Sequence, residues 1–139
     1  MNAMEPLSAA LERYKVAVAA LGHGDAVPYI GCWARTDEVT LYETWGPVEK
    51  GWEAIASALT EAGSQFTGGT VRVELTQIIE SGDLACTVGL ERDRGGAGRG
   101  PRRETVLRVT QVYRRADGQW RVVHRHADRL PEDRRKAGW

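Results

Sequence analysis

The sequence predicts a single α+β domain, in which three N-terminal helices cover a cone-shaped, strongly curved antiparallel sheet. Three observations carry this. Segments in the first half repeat apolar residues at helical spacing and close on glycines. Four runs in the second half alternate β-branched or aromatic residues with polar ones. An Asp-Gly dipeptide joins the last two runs, which is a strong local signal for a tight hairpin. With 139 residues, 42% of them hydrophobic and 27% charged, the chain suits one domain with a real core.

Leu7, Leu11, Tyr14, Val18 and Leu21 form one helical stripe that stops at Gly22, and Glu5 or Ser8 suits its N-terminus. A short second helix follows, with Asp25 as N-cap and Pro28 in the first turn, where its missing N–H costs little. Tyr29, Ile30 and Trp33 make its apolar side. Residues 39–43 read as a strand that Gly46-Pro47 ends, and Trp52, Ile55, Leu59 and Ala62 mark a third helix ending at Gly63. Strands are expected over residues 71–80, 84–92, 104–115 and 119–128. Residues 92–103 hold arginine and glycine but no aromatic residue on which bases could stack, so they read as a solvated loop rather than an RNA-binding segment. The domain is expected to span residues 1–128, and the charged stretch 129–139, with Pro131 and Gly138, to be a flexible tail.

A net charge of zero gives no general attraction to nucleic acid or an anionic membrane. No apolar run approaches the length of a membrane span, and residues 1–6 lack the basic and apolar regions of a secretory signal. A cytoplasmic protein is therefore expected. Cys32 and Cys86 read as buried free thiols in a reducing compartment, with a single disulfide between them as the alternative.

The stretch Tyr113-Arg114-Arg115-Ala116-Asp117-Gly118-Gln119-Trp120, followed by His124-Arg125-His126, resembles the terminal hairpin of the nuclear transport factor 2-like superfamily. It is most similar to the SnoaL-like branch and to the association domain of calcium/calmodulin-dependent kinase II. The resemblance implies one small-molecule pocket per subunit and a homodimer formed through the outer sheet face. It also implies a facing. Composition alone would put the face of Trp120, Val122, His124 and His126 inside; the resemblance implies the reverse, with Arg125 and Ala127 pointing into the cone with Gln111 and Glu91 and those four outside. Leu84, Cys86, Val88 and Leu90 continue that outer apolar face, which needs a cover.

Glu43 matches the position of a proton-shuttling Asp in the ketosteroid isomerases of that superfamily, so the resemblance implies a catalytic role for it. Tyr14, Tyr29, Trp33, Trp45, Glu91, Gln111, Tyr113 and Arg125 are the implied substrate-binding residues. A complete ketosteroid isomerase site is not expected. Tyr14 lies about one helical turn from the matching position, and the second oxyanion donor falls at Thr110 or Gln111. The arginines of the kinase association-domain cavity match Glu91, Gln111 and Ala127, and Arg125 alone does not restore a strong site for carboxylates. The paired histidines lack a third ligand, so neither metal nor cofactor is expected.

Two functions follow as expectations. One is a cofactor-independent isomerase, cyclase, dehydratase or hydrolase acting on a small apolar metabolite, with Glu43 as acid or base. The alternative is a non-catalytic ligand-binding or dimer-assembly module. Glu43 discriminates between them. The enzyme needs it beside open space with a shifted pKa, whereas the module would have it locked to Arg125.

Overall fold

The apolar stripe of the first helix and the alternating runs of the second half close on each other. The structure, a computed structural model, describes residues 4–44, 46, 48–66, 68–95 and 104–131. Helices α1 (Leu7–Gly22) and α2 (Val27–Gly31) are followed by β1 (Thr40–Tyr42), β2 (Glu49–Lys50) and α3 (Trp52–Gly63). Strands β3 (Thr70–Ser81), β4 (Leu84–Arg94), β5 (Glu104–Ala116) and β6 (Gln119–Arg129) complete the chain. They form one open six-stranded sheet in the order β2-β1-β6-β5-β4-β3. The four long strands pair antiparallel in sequence, while β1 joins β6 in parallel. The two-residue β2 was not foreseen, because a pair of residues carries no alternation to read.

Helix α1 buries Leu7, Ala10, Leu11, Tyr14, Ala17 and Val18, a single face at helical spacing. Pro6 occupies its N-cap, and neither Ser8 nor Glu5 caps it. Glu5 instead serves the terminal hairpin. Its N–H donates to the Gly118 carbonyl at 2.9 Å, and its carboxylate accepts the Trp120 N–H at 2.9 Å while pairing with Arg13. Asp25 acts from one residue further out than expected, accepting the Val27 N–H at 3.1 Å. Trp33 lies beyond the end of α2 and bridges to Val122. At the hairpin tip Asp117 and Gly118 both have positive φ, 52° and 79°, so the turn twists with its strands.

Two irregularities shape the sheet. On β6 the register passes from Val112↔His124 to Tyr113↔Val122, so Val123 is an extra residue. A one-residue bulge reverses which face the following side chains use. Trp120 and Val122 are therefore buried in the core at 1% exposure each, which corrects their expected place on the outer face. Beyond the bulge Arg125 and Ala127 point inward, and His124 and His126 outward. On β3 the register slips between Leu75 and Gln77, opposite Gly89. A Cβ at Gly89 would sit 2.2 Å from the Glu74 carbonyl oxygen, so only glycine lets the bulged strand come this close.

Strand β6 runs one residue past the expected domain end, and the Leu130 N–H bonds to the Val106 carbonyl at 2.9 Å. Residues 96–103 of the expected loop and 132–139 of the expected tail lie outside the described residues. Cys32, buried, and Cys86, half-buried, are both free thiols. Among the described residues no helix is long and apolar enough to cross a membrane.

Gly89→Ala is expected to lower stability by about 1–3 kcal/mol or more, the usual cost of forcing an atom into filled space. Urea unfolding of the two proteins checks this. A loss below about 0.5 kcal/mol, the size of an ordinary surface substitution, would mean that β3 simply shifts aside.

Candidate functional site

Alternation beyond the β6 bulge carries Arg125 into the interior, where it is only 3% exposed. A guanidinium cannot shed its proton, so burial obliges the fold to surround it with acceptors. Four elements supply them. Glu43, just past β1, accepts the Nε hydrogen at 2.7 Å. Glu91 on β4 takes both terminal nitrogens, Nη1 to Oε2 and Nη2 to Oε1, each at 2.9 Å. Gln111 on β5 accepts from Nη1 through its carbonyl oxygen at 3.0 Å, and Tyr14 on α1 through its hydroxyl at 2.8 Å. Tyr14 in turn donates to Glu91. The Gln111 amide nitrogen donates to the Tyr113 hydroxyl at 2.7 Å, which fixes the amide with its oxygen toward Arg125. The Tyr29 ring lies 5.8 Å from that of Tyr14 and 6.0 Å from the guanidinium carbon.

The two carboxylates are not equivalent. Both are buried, which favours the neutral acid. At Glu91 the two-pronged contact with Arg125 and the Tyr14 hydroxyl outweigh burial, and the pKa falls below its ordinary value. Glu43 has one bond from Arg125 and a long one from the Thr44 N–H at 3.4 Å. Burial wins there, with repulsion from Glu91 adding to it, and the pKa rises. Burial also pushes the Tyr14, Tyr29 and Tyr113 hydroxyls up, so they remain protonated donors.

The structure thus brings together Tyr14, Tyr29, Glu43, Glu91, Gln111, Tyr113 and Arg125. Trp33 is buried in the hydrophobic cluster behind them, and Trp45 lies outside the described residues. Free space at the network is a crevice of about 10 Å³ against Tyr14, Val73, Leu75, Thr87, Glu91 and Gln111. Glu43 does not line it; it sits on the Nε edge of the guanidinium, and Glu91 holds the other end. Sequence reasoning missed Val73, Leu75 and Thr87. Counting back by twos from Glu91 would have found Thr87, and the same alternation on β3 the other two.

The outer face differs in kind. Leu84, Val88 and Ile79 are 47%, 36% and 49% exposed there. A groove of about 440 Å³ runs along Val88, Leu90, Arg108, Thr110, His126 and Asp128, with Arg108 and Asp128 joined at 2.7 and 2.8 Å. His124 Nδ1 lies 2.7 Å from the Thr40 hydroxyl, and Tyr42 meets both imidazoles edge-on. Partial burial and the neighbouring His126 lower the pKa of His124. Among the described residues no group of three His, Cys, Asp or Glu side chains is placed to hold a metal ion.

Residues 10–128 match the family described as the SnoaL-like domain. No curated protein sequence matches the chain. Among solved structures, a proposed calcium/calmodulin-dependent protein kinase type II association domain from Thiobacillus denitrificans is 22% identical, with a TM-score of 0.76 over 94% of this chain and 100% of that one. A proposed dehydratase of the nuclear transport factor 2-like family from Streptomyces avermitilis is 19% identical, TM-score 0.72, over 91% and 94%. A ketosteroid isomerase-like protein from Erwinia carotovora atroseptica is 16% identical, TM-score 0.73, over 90% and 94%. At these identities the likeness shows a shared fold.

The opposite shifts of the two carboxylates give a signed pH prediction. Glu43, with its pKa raised in the fold, contributes stability that is fully present below the ordinary value of 4.5 and lost as pH rises through the raised value. Glu91, with its pKa lowered, contributes stability that is present above 4.5 and lost as pH falls through the lowered value. Glu43→Gln, which mimics the protonated acid, should therefore gain on the parent protein in urea unfolding as pH rises above 4.5. Glu91→Gln should cost about 3–5 kcal/mol at pH 7, as breaking a buried ion pair does. Equal and pH-independent effects of the two would show that the carboxylates are electrostatically alike.

Proposed function

This chain belongs to the SnoaL-like domain family, and from that premise we propose that it is a small-molecule-binding module, working as a homodimer and not as a catalyst. One observation carries the reading. The group with the raised pKa, Glu43, is locked to Arg125 and does not line the crevice of about 10 Å³, whereas Tyr14, Glu91 and Gln111 do. Of these, Tyr14 stays protonated and Glu91 ionised near neutral pH, so they can hold and orient a ligand but are poorly matched to shuttling its protons. Half-buried Val73 and Leu75 form an apolar rim on β3, an edge strand paired on one side only. A ligand with an apolar body gains access by parting that rim, since the resting crevice has room for about one water molecule. Tyr29, Trp33 and Tyr113 back the site as aromatic wall.

The raised pKa of Glu43 favours a second reading, acid–base catalysis, which the neighbours described as dehydratase and ketosteroid isomerase-like also suggest. On that reading a ligand displaces the Arg125 contact and meets Glu43 directly. Glu43→Gln would then remove two or more powers of ten in rate.

The binding reading is tested with three isosteric probes, benzylammonium, benzyl alcohol and benzoate, at millimolar concentration. Two-dimensional NMR should show at least one of them shifting signals of Val73, Leu75 and Gln111. Silence from all three, or shifts confined to the outer groove, would refute a ligand site in the cone. Assembly is tested separately. Light scattering at micromolar concentration should give a dimer, burying on the order of 1,600 Å². Val88→Arg, at an exposed position of the outer face, should yield a folded monomer.

A further inference from the structure

The cluster around Arg125 holds more acids than bases. One guanidinium faces two carboxyl groups, Glu43 and Glu91, so the buried cluster is neutral while Glu43 keeps its proton and has a net formal charge of −1 once both are ionised. We infer that the crevice selects an organic monocation, an ammonium on an apolar body, over neutral and anionic molecules of the same shape. This rests on the ligand-binding reading of the same crevice and names its ligand class.

The hydrogen-bond pattern facing the crevice points the same way. Glu91 Oε1 accepts one hydrogen bond, from Arg125 Nη2, and Gln111 Oε1 accepts one, from Arg125 Nη1. Each oxygen has a second lone pair. Most donors of this wall are committed elsewhere. The Gln111 amide nitrogen is turned to Tyr113, and the Tyr14 hydroxyl hydrogen is given to Glu91. Arg125 spends its Nη1 hydrogens on three acceptors and one Nη2 hydrogen on Glu91. The remaining Nη2 hydrogen lies along the Nε edge, on the side where Glu43 sits. An incoming carboxylate adds a further negative charge beside Glu91, with the second Gln111 amide hydrogen and the Thr87 hydroxyl left to meet it. An ammonium meets two acceptors, and it neutralises the cluster when Glu43 gives up its proton.

Desolvation opposes this choice, because an ammonium loses more hydration than an alcohol. It is outweighed only where the cation reaches ionised acceptors of fixed geometry in a low-dielectric setting. Glu91 is such an acceptor, held by a two-pronged arginine contact. The apolar rim of Val73 and Leu75 fits the body of the ligand and excludes water from the pair.

The three probes decide it on the unmodified protein. Benzylammonium should bind about tenfold or more tightly than benzyl alcohol, with benzoate weakest, in NMR titrations at fixed ionic strength. Benzyl alcohol or benzoate binding as tightly as benzylammonium would overturn the inference while leaving the ligand site standing. Silence from all three would remove the binding reading and the inference with it. Glu91→Gln should abolish most of the preference for the cation. A folded Glu91→Gln protein that keeps the full preference would overturn the role given to Glu91. Should that variant not fold, the order of the three probes on the parent protein still decides.

Discussion

One buried guanidinium sets the terms for the interior. Arg125 keeps its charge at any pH the fold survives, so every nearby element must turn an acceptor toward it. Tyr14, Glu43, Glu91 and Gln111 come from α1, the end of β1, β4 and β5, and their bonds converge on one side chain of β6. A polar cluster of this kind adds little stability over an apolar core of equal volume, but losing one partner leaves a buried charge uncompensated. The arrangement therefore constrains the relative placement of the elements more than it strengthens the fold.

The same constraint explains why two glutamates in one site behave differently. Arg125 presents a two-pronged end and a single Nε edge, and the fold gives the first to Glu91 and the second to Glu43. The carboxylate with more bonds is held ionised, and the one with fewer yields to burial. Separation of the pKa values of two acids is how a site assigns them different tasks. Here the strongly held acid lines the crevice, and the other sits on the Nε edge of the guanidinium.

Local backbone irregularities place these groups. The extra Val123 lets Trp120 and Val122 join the core while Arg125, an odd number of residues later, does so too. Without it either the tryptophan or the arginine would face outward. The slip on β3 brings its backbone against Gly89, a residue that borders both the inner crevice and the outer groove. At Gly89 the sheet is one backbone thick, with no side chain on either face.

Most of the fold was legible in the chain. Leu7 to Leu21 carried the period of α1, alternation over residues 71–128 gave four strands in order, and Asp117-Gly118 fixed the last turn, because these signals are local and repeat. The inward facing of Arg125, Gln111 and Glu91 came from the resemblance of the hairpin, and the structure has all three buried. The sequence by itself determined which elements form and which polar residues compete for the interior. Only the tertiary structure decided that Trp120 and Val122 share that interior with Arg125, since a bulge reverses facing without a mark in the residue pattern. It alone divided the arginine between two glutamates and filled the cone around them. Those outcomes depend on distances between residues up to 111 positions apart in the chain, and no local pattern encodes them.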